Sequence, residues 1–305
     1  MAGNKNATDE ACEILEKGGK IAVPCENVMP EFGVLNIEPA REEIRKVFLN
    51  QIILAKGLKT LAERMDGDII PTPAAVLEAI TLLSKGTENT PGVGSFVAVD
   101  IGGATTDVYS ATEGECIYQG ATLKGLPHPK YKRSVEGDLG MRWSSPYVLE
   151  HAGSEKLAEM AGVTEQQVID TIKKFNQNPE LLPENEIEER VDVAVGRAAT
   201  RLSVRRHSGI ITPIFTPFGE RFMQEGKDLS NVGYIIGTGG IVISTPHYKE
   251  ILSEALYSED DMYSLRPKKA EILLDKKYIL SAMGLLSTKY PEIALEIMKK
   301  DIMEN

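Results

Sequence analysis

Cysteine is scarce in this sequence. The 305 residues include only three cysteines, Cys12, Cys25 and Cys116, and no two of them form a C-x-x-C pair. This scarcity argues against a structural zinc site and against a disulfide framework. Scattered, buried thiols are typical of proteins in a reducing compartment, so we expect a cytoplasmic location.

Long apolar runs and an excess of basic charge are also missing. No apolar stretch approaches the roughly 20 residues that cross a bilayer, and the polar start of the chain, Met1 to Asn6, predicts no signal peptide. Acidic residues outnumber basic residues by 45 to 34, which gives a net charge of -11. Because nucleic-acid-binding proteins usually present a basic surface, this balance argues against a general nucleic-acid binder.

Two common nucleotide-binding fingerprints do not occur. The sequence has no G-x-x-x-x-G-K-[ST] P-loop, and the dinucleotide pattern G-x-G-x-x-G fails after Gly237 and Gly239 because residue 242 is Val242. A nucleotide site in this chain would therefore have to use a different sequence motif.

The most informative stretch runs from Phe96 to Ala111. Its first half is apolar and rich in β-forming residues, and Asp100 lies near its end. The small residues Gly102 to Thr106 follow, and a second β-rich segment begins at Asp107. This pattern predicts an antiparallel hairpin with the small residues at its tip.

A tip of small residues exposes consecutive backbone N–H groups, and such groups close around phosphate oxygens. Gly102 and Gly103 lack the Cβ that would hold a phosphate away from the backbone. Thr105 and Thr106 add hydroxyl donors at the same place. The tip therefore has the chemistry of a phosphate cradle.

Two aspartates, Asp100 and Asp107, bracket the tip. Carboxylates that bind through water molecules are a common way to hold Mg²⁺ beside phosphates. An ordinary hairpin turn is the alternative reading of the glycines. The paired aspartates favour a phosphate site.

These residues carry a family resemblance. The string D-I-G-G-A-T-T-D, from Asp100 to Asp107, resembles the second phosphate motif of the actin, sugar kinase and heat-shock ATPase superfamily. The string Y-I-I-G-T-G-G-I resembles the adenosine motif of that superfamily, through Gly237, Thr238, Gly239 and Gly240. An ordinary strand–helix turn is the alternative for this second string.

One branch of the superfamily is more similar than the others. The hairpin string continued to Ser110, together with Ser134 to Arg142, resembles the MutL/GlmL family. That family is encoded beside cobalamin-dependent glutamate mutase and is unrelated to the mismatch-repair protein of similar name. For Ser134 to Arg142, a capped surface loop is the alternative to a role at the cleft or with a partner.

The resemblance implies an α/β fold, a ribonuclease-H-like lobe of the actin-type ATPases with a mixed sheet. Residues 71–305 would form this C-terminal lobe with a helical insertion at about 140–209, and residues 1–70 the remainder of an N-terminal lobe with connecting helices. It implies ATP or ADP with Mg²⁺ as ligands. Asp100 and Asp107 would be the catalytic residues and the metal site, reached through water.

The function implied by the resemblance is a nucleotide-dependent reactivating or chaperone-like factor for a cobalamin-dependent aminomutase of the glutamate mutase type. The mutase subunits would be its partners, and a homo-oligomer is expected. A small-molecule kinase and a non-catalytic scaffold remain as alternatives. None of the four histidines stands in the D-x-H-x-x-G string that supplies a cobalt ligand, so we expect no cobalamin to bind this chain.

The sequence departs from the superfamily in two ways. It has no first phosphate motif, so we expect either a sequence that is part of a longer chain or a protein that works without that lobe. Where many relatives place a carboxylate before Pro73, this chain has Thr72. Both departures predict weak ATP binding and little hydrolysis.

The remaining pattern predicts the alternation of helix and strand that is typical of a layered α/β fold. Small residues, Ala75 and Ala79 in one helix and Ala282 and Gly284 in another, are similar to the connecting helices of the superfamily and predict a close helix crossing. Helices are predicted at 8–17, 38–54, 58–65, 71–83, 146–151, 154–161, 164–176, 186–205 and within 277–302, strands at 20–25, 115–119, 210–216 and 234–236, and a basic loop at 126–133.

Overall fold

The computed structural model describes residues 1–55, 70–114, 118, 120–217 and 219–304. The chain divides into two compact units, Met1–Pro71 and Thr72–Asn305. Among the described residues, no helix combines the length and the apolar character that crossing a bilayer requires.

In its described residues, the first unit contains the helices α1 (Thr8–Lys17) and α2 (Glu38–Ala55), and a 3-10 turn at Lys5–Ala7 precedes α1. The helix predicted at 8–17 is α1, and its N-cap residue, Ala7, offers no side-chain cap. Asp9 instead lies in the first turn, where a negative charge favours the positive end of the helix dipole.

The strand predicted at 20–25 is also wrong, because this segment has irregular backbone. Ile21 is 90% exposed, so its β propensity finds no sheet to join. Cys12 and Cys25 are free thiols that are only partly buried, contrary to expectation. The predicted helix at 58–65 and Cys116 lie outside the described residues.

In the part of the chain described, the second unit contains eight strands and nine further α-helices. The strands are β1 (Phe96–Ile101), β2 (Thr106–Ala111), β3 (Thr122–Lys124), β4 (Tyr131–Glu136), β5 (Ile210–Thr216), β6 (Gly219–Glu225), β7 (Tyr234–Thr238) and β8 (Glu271–Leu274). The helices are α3 (Thr72–Lys85), α4 (Ser145–Ala152), α5 (Ser154–Ala161), α6 (Glu165–Gln177), α7 (Glu186–His207), α8 (Gly240–Ser244), α9 (Tyr248–Ser253), α10 (Leu280–Ser287) and α11 (Pro291–Met298).

A mixed five-stranded sheet of order β4-β2-β1-β7-β8 forms the centre of this unit. Strand β2 runs antiparallel to both of its neighbours, while β7 is parallel to β1 and β8 is parallel to β7. The predicted hairpin is confirmed, with β1 and β2 paired along their whole length. Thr106 pairs with Ile101 inside the hairpin ladder, so the tip is residues 102–105.

Strand β4 was not predicted. It lies beside β2 in the part of the chain where the sequence predicted a basic loop at 126–133. Its lysine and arginine, Lys132 and Arg133, hide the apolar alternation by which a strand is recognised. The strand predicted at 115–119 as the neighbour of β2 lies outside the described residues except for Tyr118. Strands β3, β6 and β8 were also missed.

Both faces of the central sheet are buried, which explains why β1 is almost wholly apolar. Phe96 and Ala98 point to one face, where they pack into a cluster with apolar residues of α3, α10 and α11. Val97, Val99 and Ile101 point to the other face and pack with α4 to α9. A second, three-stranded sheet has the order β3-β6-β5.

Helices α3 and α10 cross very closely, as their small residues predicted. A Cβ added at Gly284 of α10 would lie 1.7 Å from the backbone oxygen of Ala75 in α3. Only glycine fits at this contact, because backbone atoms cannot move aside as the end of a flexible side chain does.

Gly284→Ala tests this contact. Alanine favours a helix by about 1 kcal/mol over glycine, but overpacking against Ala75 should cost about 1–3 kcal/mol or more. We expect a lower midpoint of thermal unfolding for the variant. Gly137→Ala is the matched control, because a Cβ added there meets nothing within 4 Å. An unchanged midpoint for Gly284→Ala would contradict the close crossing.

Candidate functional site

Two glycine-rich turns lie at the same edge of the central sheet. Strands β1 and β7 are parallel neighbours in which Asp100 is opposite Thr238, so the chain leaves both strands at their carboxyl ends. Ligands of open α/β sheets commonly bind at this edge. Of the predicted site residues in these turns, Gly102, Gly103 and Gly240 line the same cavity, whereas Gly237, Thr238 and Gly239 do not.

The cavity has a volume of about 830 Å³, within the range of ligand pockets. Its walls combine apolar side chains, such as Met141, Leu182 and Ile241, with the carboxylates of Glu186 and Glu189 from the start of α7. A pocket with apolar walls and a few polar groups suits an organic ligand that carries polar substituents.

The glycines of the second turn have different roles. Gly239 has φ +98°, and an added Cβ would lie 2.4 Å from the backbone oxygen of Ile101, so this position requires glycine. A Cβ at Gly237 would lie 2.4 Å from a terminal methyl carbon of Leu252. Thr238 is buried, and its hydroxyl donates to Asp275. Gly240 borders the cavity and has open space where a Cβ would be.

Residues 139–144, which we call the clasp loop, pack on the hairpin tip and donate hydrogen bonds to its carbonyl oxygens. The hydrogen bonds run from the N–H of Met141 to Gly102 O (3.0 Å), from the N–H groups of Arg142 and Trp143 to Gly103 O (2.8 and 2.9 Å), and from Ser144 Oγ to Ala104 O (2.6 Å). In a trans peptide the N–H points opposite to the preceding C=O. The N–H groups of Gly103, Ala104 and Thr105 therefore point away from the clasp loop.

A close approach makes these hydrogen bonds possible. A Cβ added at Gly140 would lie 2.4 Å from the carbonyl carbon of Ala104, so only glycine lets the clasp loop reach the tip. The sequence left open whether Ser134 to Arg142 faces the cleft or forms a capped surface loop. Its last residues form most of the clasp loop, and Arg142 also lines the cavity.

Arg142 connects the clasp loop to the helices. Its guanidinium makes two hydrogen bonds, of 2.6 and 3.0 Å, to the carboxylate of Asp192 in α7, and it lies 4.5 Å from the ring centre of Phe175 in α6. Burial raises the pKa of Asp192, and the guanidinium acts against that shift. No local sequence pattern indicates this pair, because its members are 50 residues apart.

The two predicted carboxylates have unequal surroundings. Asp107 is buried and accepts hydrogen bonds from Arg133 (2.8 Å) and, at 3.4 Å, from the hydroxyl of Thr105. The hydroxyl of Thr106 is also occupied, since it donates to the backbone oxygen of Leu139. Asp107 is therefore already ion-paired with a cation of the protein.

Asp100 is the carboxylate with the most perturbed acidity. Burial raises its pKa to about 6, and the charges of Asp107 and Asp275 add to the effect, while Arg133 opposes it. Asp275 is a third carboxylate that the sequence analysis missed. It is almost fully buried and accepts hydrogen bonds from Thr238 Oγ1 and from the N–H groups of Ile279 and Leu280.

A small cavity of about 10 Å³ lies beside these carboxylates. It is lined by Thr72, Asp100, Thr238, Asp275 and Tyr278, among others. A space of this size holds one water molecule when polar groups surround it. Among the described residues, no group of three or more His, Cys, Asp or Glu side chains is arranged to hold a metal ion. A hydrated Mg²⁺ needs only one or two carboxylates, so Asp100 remains a suitable ligand.

Fold and site together define an α/β protein with a ligand-sized cleft at the carboxyl edge of a mixed sheet. The family model described as MutL protein matches residues 1–302, and the chain belongs to that family. Protein MutL of Clostridium tetanomorphum is 43% identical over 304 residues. The match covers 100% of this chain but only 66% of the length of that relative.

The raised pKa of Asp100 makes stability depend on pH. Its folded-state pKa of about 6 exceeds the ordinary value of 3.8, so the folded protein keeps a proton that the unfolded chain releases. The stability that this proton contributes is fully present below pH 3.8 and is lost as the pH rises through about 6. Asparagine does not ionise, so Asp100→Asn should remove this loss of stability at high pH. We expect the variant to unfold at a higher temperature than the wild type at about pH 7.5 but not at about pH 4.

The control for Asp100→Asn is Asp170→Asn, which changes an exposed aspartate in α6. Thermal unfolding of the three proteins at both pH values is the measurement. The raised pKa would be contradicted if the unfolding temperatures of Asp100→Asn and the wild type differed by the same amount at both pH values.

The Arg142–Asp192 pair gives a second prediction. Arg142→Met leaves a buried carboxylate without its cation, which should lower the free energy of unfolding by about 3–5 kcal/mol. Replacing both residues, as Arg142→Met with Asp192→Leu, should recover much of that loss because no charge remains buried. Urea unfolding of both single variants and the double variant measures the coupling. Simply additive losses would show that the two side chains do not interact.

Proposed function

We propose that residues 72–305 form a nucleotide-binding lobe of the ribonuclease-H-like, actin-type ATPase fold. The central sheet supports this proposal, because β2 alone runs opposite to the other four strands. The observation that carries it is the cleft between the two glycine-rich turns, where the clasp loop turns the N–H groups of the tip away from itself.

The residues present fit ATP or ADP. The N–H groups of Gly103, Ala104 and Thr105 form the kind of concave donor set that binds phosphate oxygens. The cleft is large enough for the nucleoside, and Glu186 and Glu189 offer oxygen acceptors for ribose hydroxyls. Asp100 lines the small cavity and not the cleft, so it would hold the Mg²⁺ that accompanies the phosphates through water molecules, and that ion would balance their negative charge.

We further propose that the whole protein is a reactivating or chaperone-like factor for a cobalamin-dependent aminomutase of the glutamate mutase type. Membership of the MutL protein family supports this role. Mutase subunits would be the partners, in the cytoplasm. The Arg142–Asp192 pair supplies a physical route, because it links the tip that would hold phosphate to the helices α6 and α7.

Nucleotide binding without hydrolysis is the second candidate function. The ion pair between Asp107 and Arg133 favours it, because this pair occupies one of the two carboxylates expected at the metal. ATP turnover, measured on the same preparation that is used for nucleotide titration, distinguishes the two candidates.

Gly103 and Gly240 allow a test that separates binding from folding. A Cβ added at Gly103 comes no closer than 3.9 Å to its nearest neighbour, Arg142, and a Cβ at Gly240 meets nothing within 4 Å. In calorimetric titration with Mg²⁺ present, we expect the wild type to bind ATP and ADP. Gly103→Ala and Gly240→Ala should each bind about tenfold more weakly, since the methyl group separates ligand from backbone.

Gly137→Ala is the matched control for this titration, because it adds the same methyl group in open space at a residue that does not line the cavity. All three variants should unfold at the temperature of the wild type. Failure of the wild type to bind either nucleotide would overturn the proposal, and so would an equal loss of affinity in Gly137→Ala.

A further inference from the structure

A second cavity, of about 430 Å³, lies beside the three-stranded sheet. Apolar groups form part of its wall, including Ala121, Leu123 and Pro127. The charged or titratable residues Lys227, His128 and Glu113 also line it. The cavity shares no lining residue with the cleft between the glycine-rich turns.

Lys227 is held firmly in this wall. Only 1% of the residue is exposed, and its ammonium nitrogen donates to the backbone oxygens of Pro129 (2.9 Å) and Lys130 (2.6 Å). Its stem packs on Gly114, where φ is +70° and an added Cβ would lie 2.3 Å from Lys227 Cγ. A protonated lysine has three N–H donors, and the two carbonyl partners use two of them.

Positive charges surround Lys227. Burial, together with the charges of Lys132 and Lys130, lowers the pKa of Lys227 to about 7, while Glu113 acts in the opposite direction. Glu113, however, is itself ion-paired with Lys130 at 2.6 Å. Burial, Lys132 and Lys227 also lower the pKa of His128. An anion in the cavity would offset this mutual repulsion and would favour the protonated forms of both side chains.

We propose that the second cavity binds a small organic anion through a carboxylate group, with Lys227 and His128 as the donors to its oxygens. The hydrocarbon part of the ligand lies against Ala121, Leu123 and Pro127. This site is separate from the nucleotide site proposed above and does not depend on it.

A carboxylate fits this cavity better than a phosphate group does. A carboxylate carries a single negative charge and needs one cation, Lys227, whereas a phosphate dianion would need both Lys227 and His128 to be charged. Carboxylate ligands with an apolar body also match a wall of mixed character, where the apolar surface contributes to affinity. Phosphate groups are usually bound by several donors at once, such as backbone nests or arginine forks.

Benzoate, its neutral isostere benzamide and inorganic phosphate are the probes. In calorimetric titration of the wild-type protein we expect benzoate to bind, benzamide and phosphate not to bind, and benzoate binding to take up protons. Proton uptake is read from the change in binding enthalpy between two buffers of different ionisation enthalpy. Lys227→Met should abolish binding, and His128→Gln should weaken it about tenfold.

Lys124→Met is the matched control, since Lys124 is exposed, is paired with Glu225 and does not line the cavity. It should bind benzoate as the wild type does. If Lys227→Met does not fold, the wild-type measurements and His128→Gln still decide the matter. Absence of benzoate binding to the wild type, equal binding of benzamide, or binding of phosphate in place of benzoate would each overturn the proposal.

Discussion

The hairpin tip depends on the clasp loop that holds its carbonyl oxygens. A tight turn of small residues has no side chains to fix its peptide planes, and glycine backbone has the largest freedom to lose. Hydrogen bonds from Met141, Arg142, Trp143 and Ser144 fix three of these planes. The orientation of the N–H groups that would meet a phosphate follows from this arrangement, so the candidate site is built in advance of any ligand.

Buried polar groups hold the clasp loop in place, and removing them from water costs free energy. Arg142 and Asp192 are both nearly inaccessible, and a buried ion pair adds little net stability because both charges lose their water. We infer that the pair serves to fix geometry: it ties the clasp loop to α7, while Arg142 also packs on Phe175. A change at the tip is thereby passed to the helices through one rigid contact.

Local patterns in the sequence predicted the parts of the site that are contiguous. The hairpin, the two glycine-rich turns and the close helix crossing at Gly284 all follow from small residues next to apolar runs. Strand β4 could not be found in this way, because Lys132 and Arg133 make partners outside the strand, with His207 and Asp107. Those partners become visible only when the chain is folded.

Long-range pairs account for the rest of what the sequence did not reveal. Asp275 has the local signature of a residue preceding a helix, but its nearness to Asp100 depends on the order of β1, β7 and β8. The buried Lys227 reads as an ordinary surface charge in the sequence. Charge and burial of this kind are properties of the fold, so no local pattern predicts them.

Amide hydrogen exchange with and without ATP and Mg²⁺ tests the central claim most directly. If the clasp loop presents the tip to a nucleotide, the ligand should slow exchange at residues 103–105 and in the turn at 239–241. Both segments should be protected together and at the same nucleotide concentration. Protection confined to other parts of the chain, or none at a saturating concentration, would contradict the account.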